Sequence, residues 1–245
     1  MTPGGKTVFG ASVGILMLDT RFPRIPGDIG NAATWPFPVQ YKLVPAATPD
    51  RIVRGDATPF LEAFIEAGRE LVTLGCDGIA TNCGFLVPFQ DDLTKALGVP
   101  VASSSLLQAQ MVQRTLPSDQ TVGIMTISSE TLTEAHLEAA GVDNTVPIVG
   151  TGAESHFTAH VLGDEMEIDF DQARADNIVA ANKLVAERPD VGAILLECTN
   201  MVPYAADIRQ ATGRPVYSIY TYLLWFQSAL LPRRFAANLD DTRHG

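Results

Sequence analysis

GIATNCGFLVPFQDDLTKALGVPVAS, residues 78–103, lies without a gap over AILLECTNMVPYAADIRQATGRPVYS, residues 193–218, and ten of the 26 aligned positions are identical. The shared residues include Cys83/Cys198, Val87/Val202, Pro88/Pro203, Asp92/Asp207, Gly98/Gly213, Pro100/Pro215 and Ser103/Ser218. Two matching segments at a fixed offset are an internal repeat, and a repeat has to be read before secondary structure because it decides the architecture. A shorter echo sets VGILML, residues 13–18, over VGIMTI, residues 122–127, so each half of the chain opens on an equivalent strand.

Within each half, short β-branched apolar runs alternate with longer helical stretches, the pattern of parallel strands joined by crossover helices. VGILML, FPVQYKLV, DGIAT and VPVAS read as strands of the first half, and VGIMTI, TVPIVG, VGAILLE and RPVYSI as strands of the second. Pro59–Gly75 reads as a helix with a proline start and a glycine stop. SETLTEAHLEAAG reads as a helix opened by Ser128 or Ser129 and closed by Gly141, and DFDQARADNIVAANKLVAERP as one closed by Pro189. The expected fold is α/β: two pseudo-symmetric doubly wound parallel-sheet lobes with the active site in the cleft between them. The apolar segment YTYLLWFQSALLP, residues 220–232, matches Ser105–Pro117 in the repeat, and each helix is expected to cross to the opposite lobe. The first lobe then takes residues 1–103 plus 218–245, and the second takes 104–217. Its exposed apolar remainder makes this last helix a candidate homodimer surface, and the tail ANLDDTRHG reads as unstructured.

The chain has 245 residues, 46% hydrophobic and 18% charged, enough to bury a large core. Twenty-eight acidic against seventeen basic side chains give a net charge of −11, opposite in sign to what a phosphate backbone attracts, so nucleic acid is not an expected partner. No apolar run reaches the roughly 18–20 residues of a membrane span, and no membrane partner is expected. The opening MTPGGKTVFGAS has no basic segment followed by an apolar one, and the expected address is cytoplasmic. Three scattered cysteines, Cys76, Cys83 and Cys198, do not make a disulfide framework. No P-loop, dinucleotide fingerprint or Gly-x-Ser-x-Gly elbow is present.

Cys83 and Cys198 each stand where a strand ends and a helix begins, the place where open parallel sheets bind ligands. A pseudo-twofold axis would set them face to face. There the macrodipole and backbone N–H groups favour the thiolate and lower its pKa. Two such thiols on opposite sides of one carbon divide the work of inverting a stereocentre, one removing a proton and the other returning it. Thr81, Asn82, Thr199 and Asn200, with nearby backbone amides, supply donors for a carboxylate and a developing enolate. No cofactor and no metal are called for. The competing reading is that small thiols pack at strand ends, as Cys76 does in LGCDG; cysteines that recur in polar motifs at repeat-equivalent positions weigh against it.

Paired cysteines in ATNCGF and LECTN within two similar α/β lobes resemble the aspartate/glutamate racemase superfamily. It includes aspartate, glutamate and hydantoin racemases and the related maleate isomerases and arylmalonate decarboxylases. The resemblance spans nearly the whole chain. It implies that Cys83 and Cys198 are the catalytic acid/base pair, that catalysis is independent of pyridoxal phosphate and metals, and that Asn82, Thr199 and Asn200 contact a small carboxylate substrate. It also implies a dimer. Amino-acid racemases of the group usually carry Cys-Asn-Thr and Gly-Cys-Thr, whereas this chain has Asn82-Cys83-Gly84 and Glu197-Cys198-Thr199. The expected activity is cofactor-independent amino-acid racemisation of the aspartate/glutamate type. Alternatives are a hydantoin racemase, a maleate isomerase-like enzyme in which one cysteine is a nucleophile, and an inactive small-molecule binding protein.

Other residues carry two readings each. Gly84 and Phe85 follow the first cysteine and join the expected binding set. Glu197 either raises the pKa of the adjacent thiol, or caps a helix or pairs with an arginine. Leu18–Pro38 is a long Pro/Gly-rich loop at the same sheet end; in it Asp19 is expected at the substrate, Arg21 or Arg24 either clamps a carboxylate or pairs with local acids, and Asn31 and Trp35 are candidates to close over the cleft. Thr126, with Ser128 and Ser129, either contacts an anion or serves as a helix cap. His156 and His160 have metal-ligand spacing, set against a solvated or capping role.

Overall fold

The computed structural model describes residues 4–235. In the first half, β1 (Val13–Leu18), β2 (Val39–Val44), β3 (Gly78–Thr81) and β4 (Val101–Ala102) form a parallel sheet in the order β2-β1-β3-β4. In the second, β5 (Thr121–Thr126), β6 (Ile148–Gly150), β7 (Val191–Leu196) and β8 (Val216–Tyr217) repeat that order as β6-β5-β7-β8, again all parallel. This is the doubly wound α/β architecture the repeat required. Every residue of β7 is buried, as expected for a strand covered on both faces, which selects an unbroken apolar run rather than alternation.

Nine α-helices connect the described strands: α1 (Pro49–Val53), α2 (Leu61–Leu74), α3 (Gln90–Leu97), α4 (Ala109–Gln113), α5 (Glu134–Ala139), α6 (His156–Leu162), α7 (Phe170–Glu187), α8 (Ala205–Thr212) and α9 (Ile219–Leu230). The quoted repeat is reproduced residue by residue. After β3 a 3-10 turn over 84–89 runs into α3 and stops at Gly98; after β7 a turn over 199–204 runs into α8 and stops at Gly213. Both glycines sit in the left-handed region, φ 65° and 69°, where a side chain would cost about 1 kcal/mol or more.

One helix start differs from expectation. Ser128 and Ser129 do not open a helix; α5 starts at Glu134, because Thr133 and His136 satisfy each other's backbone N–H groups in a reciprocal cap. Asp169 opens α7 by accepting from the N–H groups of Asp171 and Gln172.

The two repeat-related helices change sides. The Gln113 side chain of α4 accepts from the Val122 N–H at 2.9 Å, tying that helix to β5. The apolar residues Ile219, Tyr222, Leu223 and Phe226 of α9 pack with Val13, Ile15, Ala80 and Ala102 of the first sheet. A larger core runs continuously through both halves. Trp35, expected near the substrate, belongs to the α9 core instead; it is buried, and its indole N–H lies 3.3 Å from the Ile29 carbonyl and 3.2 Å from the Tyr41 hydroxyl oxygen. Asn31 caps the short turn Ala32–Thr34 through its side chain. Asn31 thus serves the loop itself, and Trp35 joins the loop to α9. Among the described residues no helix is long and apolar enough to cross a membrane.

Candidate active site

The ends of β3 and β7 deliver the two thiols. Backbone bonds fix both exits alike: the Asn82 N–H donates to the Leu16 carbonyl at 3.0 Å and the Glu197 N–H to the Met125 carbonyl at 2.8 Å, the same step in each half. Cys83 and Cys198 follow, each in extended backbone at the head of its 3-10 turn. They line one cleft, with exposures of 9% and 7%. The halves are locked together beside it. Thr199 donates its hydroxyl to the Asn82 carbonyl at 2.6 Å, and Ser105 donates to the Leu196 carbonyl at 2.7 Å.

Around the thiols the two halves part company. Cys198 donates to the Asn200 side-chain oxygen at 3.7 Å, and the amide of Asn200 donates in turn to Asp28 at 2.7 Å. Asp28 thereby fixes which end of the amide faces the sulfur. Its other oxygen accepts from Arg24 at 2.7 Å and from the Gly30 N–H at 2.8 Å. Arg24 also bonds the Thr20 hydroxyl and lies over the Phe22 ring. The position equivalent to Asn200 in the first half is Phe85, so Cys83 has an aromatic neighbour where Cys198 has an acceptor.

Between the two motifs sits Glu197, fully buried. Thr126 donates to its Oε2 at 2.7 Å, while Oε1 has no partner. Oε1 lies against Gly84: a Cβ added there would fall 2.1 Å from it, well inside contact. Asn82, its repeat equivalent, is a neutral amide whose oxygen accepts from the Leu18 N–H at 2.8 Å.

The electrostatics reverse one expectation. The Phe85 and Asn200 N–H groups do point at the sulfurs and favour the thiolates, as strand-end geometry promised. Burial outweighs them, and the Glu197 carboxyl adds to it, so both thiols are pushed well above the ordinary cysteine range. Burial likewise pushes Glu197 up, from 4.5 to about 7. Cys76, far from this group, is raised to about 11 by burial and Asp77.

Most of the expected binding set lines the cleft: Asn82, Gly84, Phe85, Glu197, Thr199 and Asn200. Thr81 and Thr126 stand beneath it. Thr81 bonds the Ser103 carbonyl at 2.5 Å, and Thr126 holds Glu197, so each acts through the frame. Asp19 is turned away; its carboxylate accepts from the Ala46 N–H at 3.0 Å and holds the turn after β2. Arg21 is also outside, paired with Asp164 at 3.2 Å. Of the two candidate arginines Arg24 is the one that reaches the cleft lining, where it pairs with Asp28; the loop residues the motifs did not single out are Phe22, which lines the cleft, and Asp28, which holds Asn200. His156 and His160 stack on one another, ring centroids 3.6 Å apart, and bond backbone groups of their own segment and of Asp169. Among the described residues no group of three or more potential metal ligands comes together.

The model of Asp/Glu/Hydantoin racemase matches residues 39–226, which hold both thiols, the whole second sheet and every strand of the first but β1. The chain belongs to that family. A relative, a dimethylsulfoniopropionate lyase of Durusdinium sp. clade D, is 30% identical over 225 residues, covering 88% of this chain and 74% of the relative. Among solved structures, unliganded arylmalonate decarboxylase superposes with a TM-score of 0.57 at 16% identity, over 94% of this chain and 96% of that one. An aspartate racemase of Picrophilus torridus gives 0.55 at 15%, over 93% and 96%. These likenesses establish the racemase-family fold.

Proposed function

We propose that this racemase-family chain is a carbon-acid enzyme that moves a proton at the carbon next to a substrate carboxylate, with Cys83 and Cys198 working from opposite sides. Amino-acid racemisation of the aspartate/glutamate kind is the reaction this arrangement supports best. The observation that carries it is the pair itself: two repeat-equivalent thiols, both lining one cleft, each met by a backbone N–H at the head of a turn. Cys83 removes the α-proton as thiolate, the electron pair moves into an enediolate held by backbone and side-chain donors, and Cys198 returns its S–H proton to the other face. The roles exchange for the other enantiomer.

A second reading has its own support. Elimination begins with the same α-proton abstraction, but the electron pair then forms a carbon–carbon double bond and expels a leaving group from the next carbon. The relative named a dimethylsulfoniopropionate lyase favours it. So does the cleft, whose basic residue Arg24 is already held by Asp28 and Thr20, leaving a second substrate carboxylate without a partner in the lining. The test is incubation in heavy water with single-enantiomer amino acids and, separately, with dimethylsulfoniopropionate, followed by NMR. α-Deuterium uptake with inversion supports racemisation, an alkene product supports elimination, and neither product overturns the carbon-acid reading.

A further inference from the structure

The two departures from the usual racemase motifs meet in space. Gly84 stands where the family pattern has asparagine, and Glu197 where it has glycine; the Glu197 Oε1 occupies the very volume that a side chain at 84 would fill. The carboxyl is buried, anchored by Thr126 through Oε2, and leaves Oε1 without a partner against the loop that carries Cys83. Its own peptide neighbour is Cys198. A carboxyl so placed lies against both thiol-bearing loops at once, with one oxygen buried and unsatisfied.

We propose that Glu197 is a positioning residue that governs whether the Cys83/Cys198 pair can ionise, and that Gly84 is present to admit it. With Glu197 as the neutral acid, a thiolate in the cleft faces no like charge from it; with Glu197 as the anion, a thiolate would be a second buried negative charge beside the first. The other ionisable groups around the thiols are Arg24 and Asp28 of the Leu18–Pro38 loop, paired across 2.7 Å, and Tyr204; Arg24 favours the Cys83 thiolate and Asp28 adds a lesser rise at Cys198. Glu197 is raised to about 7 by burial, which places its switch near neutral pH. This inference rests on the cysteine reading of the site but is tested without substrate.

The full-length chain is labelled with iodoacetamide at pH 8, and each cysteine is followed by peptide mass spectrometry in wild type and Glu197→Gln. Labelling tracks the thiolate fraction. Cys83 and Cys198 are expected to react at least about tenfold faster in Glu197→Gln, a shift of about one pKa unit or more, with Cys76 unchanged as internal reference. Gly84→Ala, whose methyl would expel the carboxyl, is expected to move the same two cysteines in the same direction and serves if the glutamine variant fails to fold. In wild type alone, labelling of Cys83 and Cys198 between pH 6 and 8 is expected to rise less steeply than that of Cys76. Equal rates in wild type and variants, or equal slopes for the three cysteines, overturn the proposal. Either result leaves the heavy-water outcome to stand or fall separately.

Discussion

Asn82-Cys83-Gly84 and Glu197-Cys198-Thr199 occupy the same place in the two halves, yet only the backbone is shared. Both leave their strand on the same hydrogen bond, both present a thiol at the head of a 3-10 turn, and both turns end in a left-handed glycine after one short helix. The side chains then differ at every flanking position. Cys198 has an acceptor, Asn200, held in orientation by Asp28, whereas the equivalent position after Cys83 is Phe85, which offers none. Asn82 ends its polar reach on the Leu18 N–H; Glu197 extends across to Gly84. In the proposed mechanism the pseudo-symmetry supplies two faces for one carbon and the asymmetry divides the roles: Cys198, whose S–H has a standing acceptor, is the resting proton donor, and Cys83, which has none, is the resting base.

Removing the acceptor attacks that asymmetry most directly. Asn200→Ala is expected to lower turnover roughly 10- to 100-fold, within the range for a misplaced acid/base group, and to slow one enantiomer more than the other in its initial α-exchange rate. Equal slowing of both would make the two thiols interchangeable.

The pH dependence of stability tests whether Glu197 is neutral in the fold. Its pKa is about 7 folded against 4.5 in its ordinary state, so between those values the unfolded chain has lost a proton that the folded chain keeps. Stability from this group is therefore fully present below about pH 4.5 and falls as pH rises through about 7. Denaturant melts at pH 5 and pH 8 are expected to show wild type losing up to about 3 kcal/mol relative to Glu197→Gln over that interval.

Gly84→Ala should cost about 1–3 kcal/mol by overpacking against Oε1, and the cost should shrink when Glu197→Gly is added. A double-mutant cycle on unfolding free energy with a coupling of roughly 0.5–3 kcal/mol would show that the two motif departures are one change; additivity would show that they are two.

The smallest effect concerns the loop over the cleft. Asp164 of the second half accepts from the Arg21 N–H at 2.6 Å and the Phe22 N–H at 3.2 Å while sitting at φ 53°. Asp164→Ala is expected to cost about 1–2 kcal/mol in a denaturant melt and to raise KM more than it lowers kcat, since it frees the loop that carries Arg24 and Asp28 without touching the thiols.

What could be read in the sequence follows the same division. The repeat, the strand order it implies and both thiols were legible because each is a local motif copied once. Gly84, Phe85, Thr199 and Asn200 came with them by adjacency. Asp28 and Asp164 are not legible as site residues, because the loop from Leu18 to Pro38 has no periodicity and its contacts skip far along the chain, 143 residues from Arg21 to Asp164 and 172 from Asp28 to Asn200. The sequence leaves Arg21 and Arg24 as equal candidates for the same reason: nothing local shows which arginine turns inward. The direction of the thiol shift was missed differently. The helix-start N–H groups are visible in sequence, but the burial that outweighs them is a property of the closed cleft.

The most direct test of the account is α-proton exchange in heavy water, followed by NMR on each enantiomer of the fastest-exchanging substrate, in wild type, Cys83→Ser and Cys198→Ser. Wild type is predicted to exchange and invert both enantiomers, and each serine variant to lose inversion by roughly a thousandfold or more. A variant that still inverts substrate at the wild-type rate would contradict the two-thiol site.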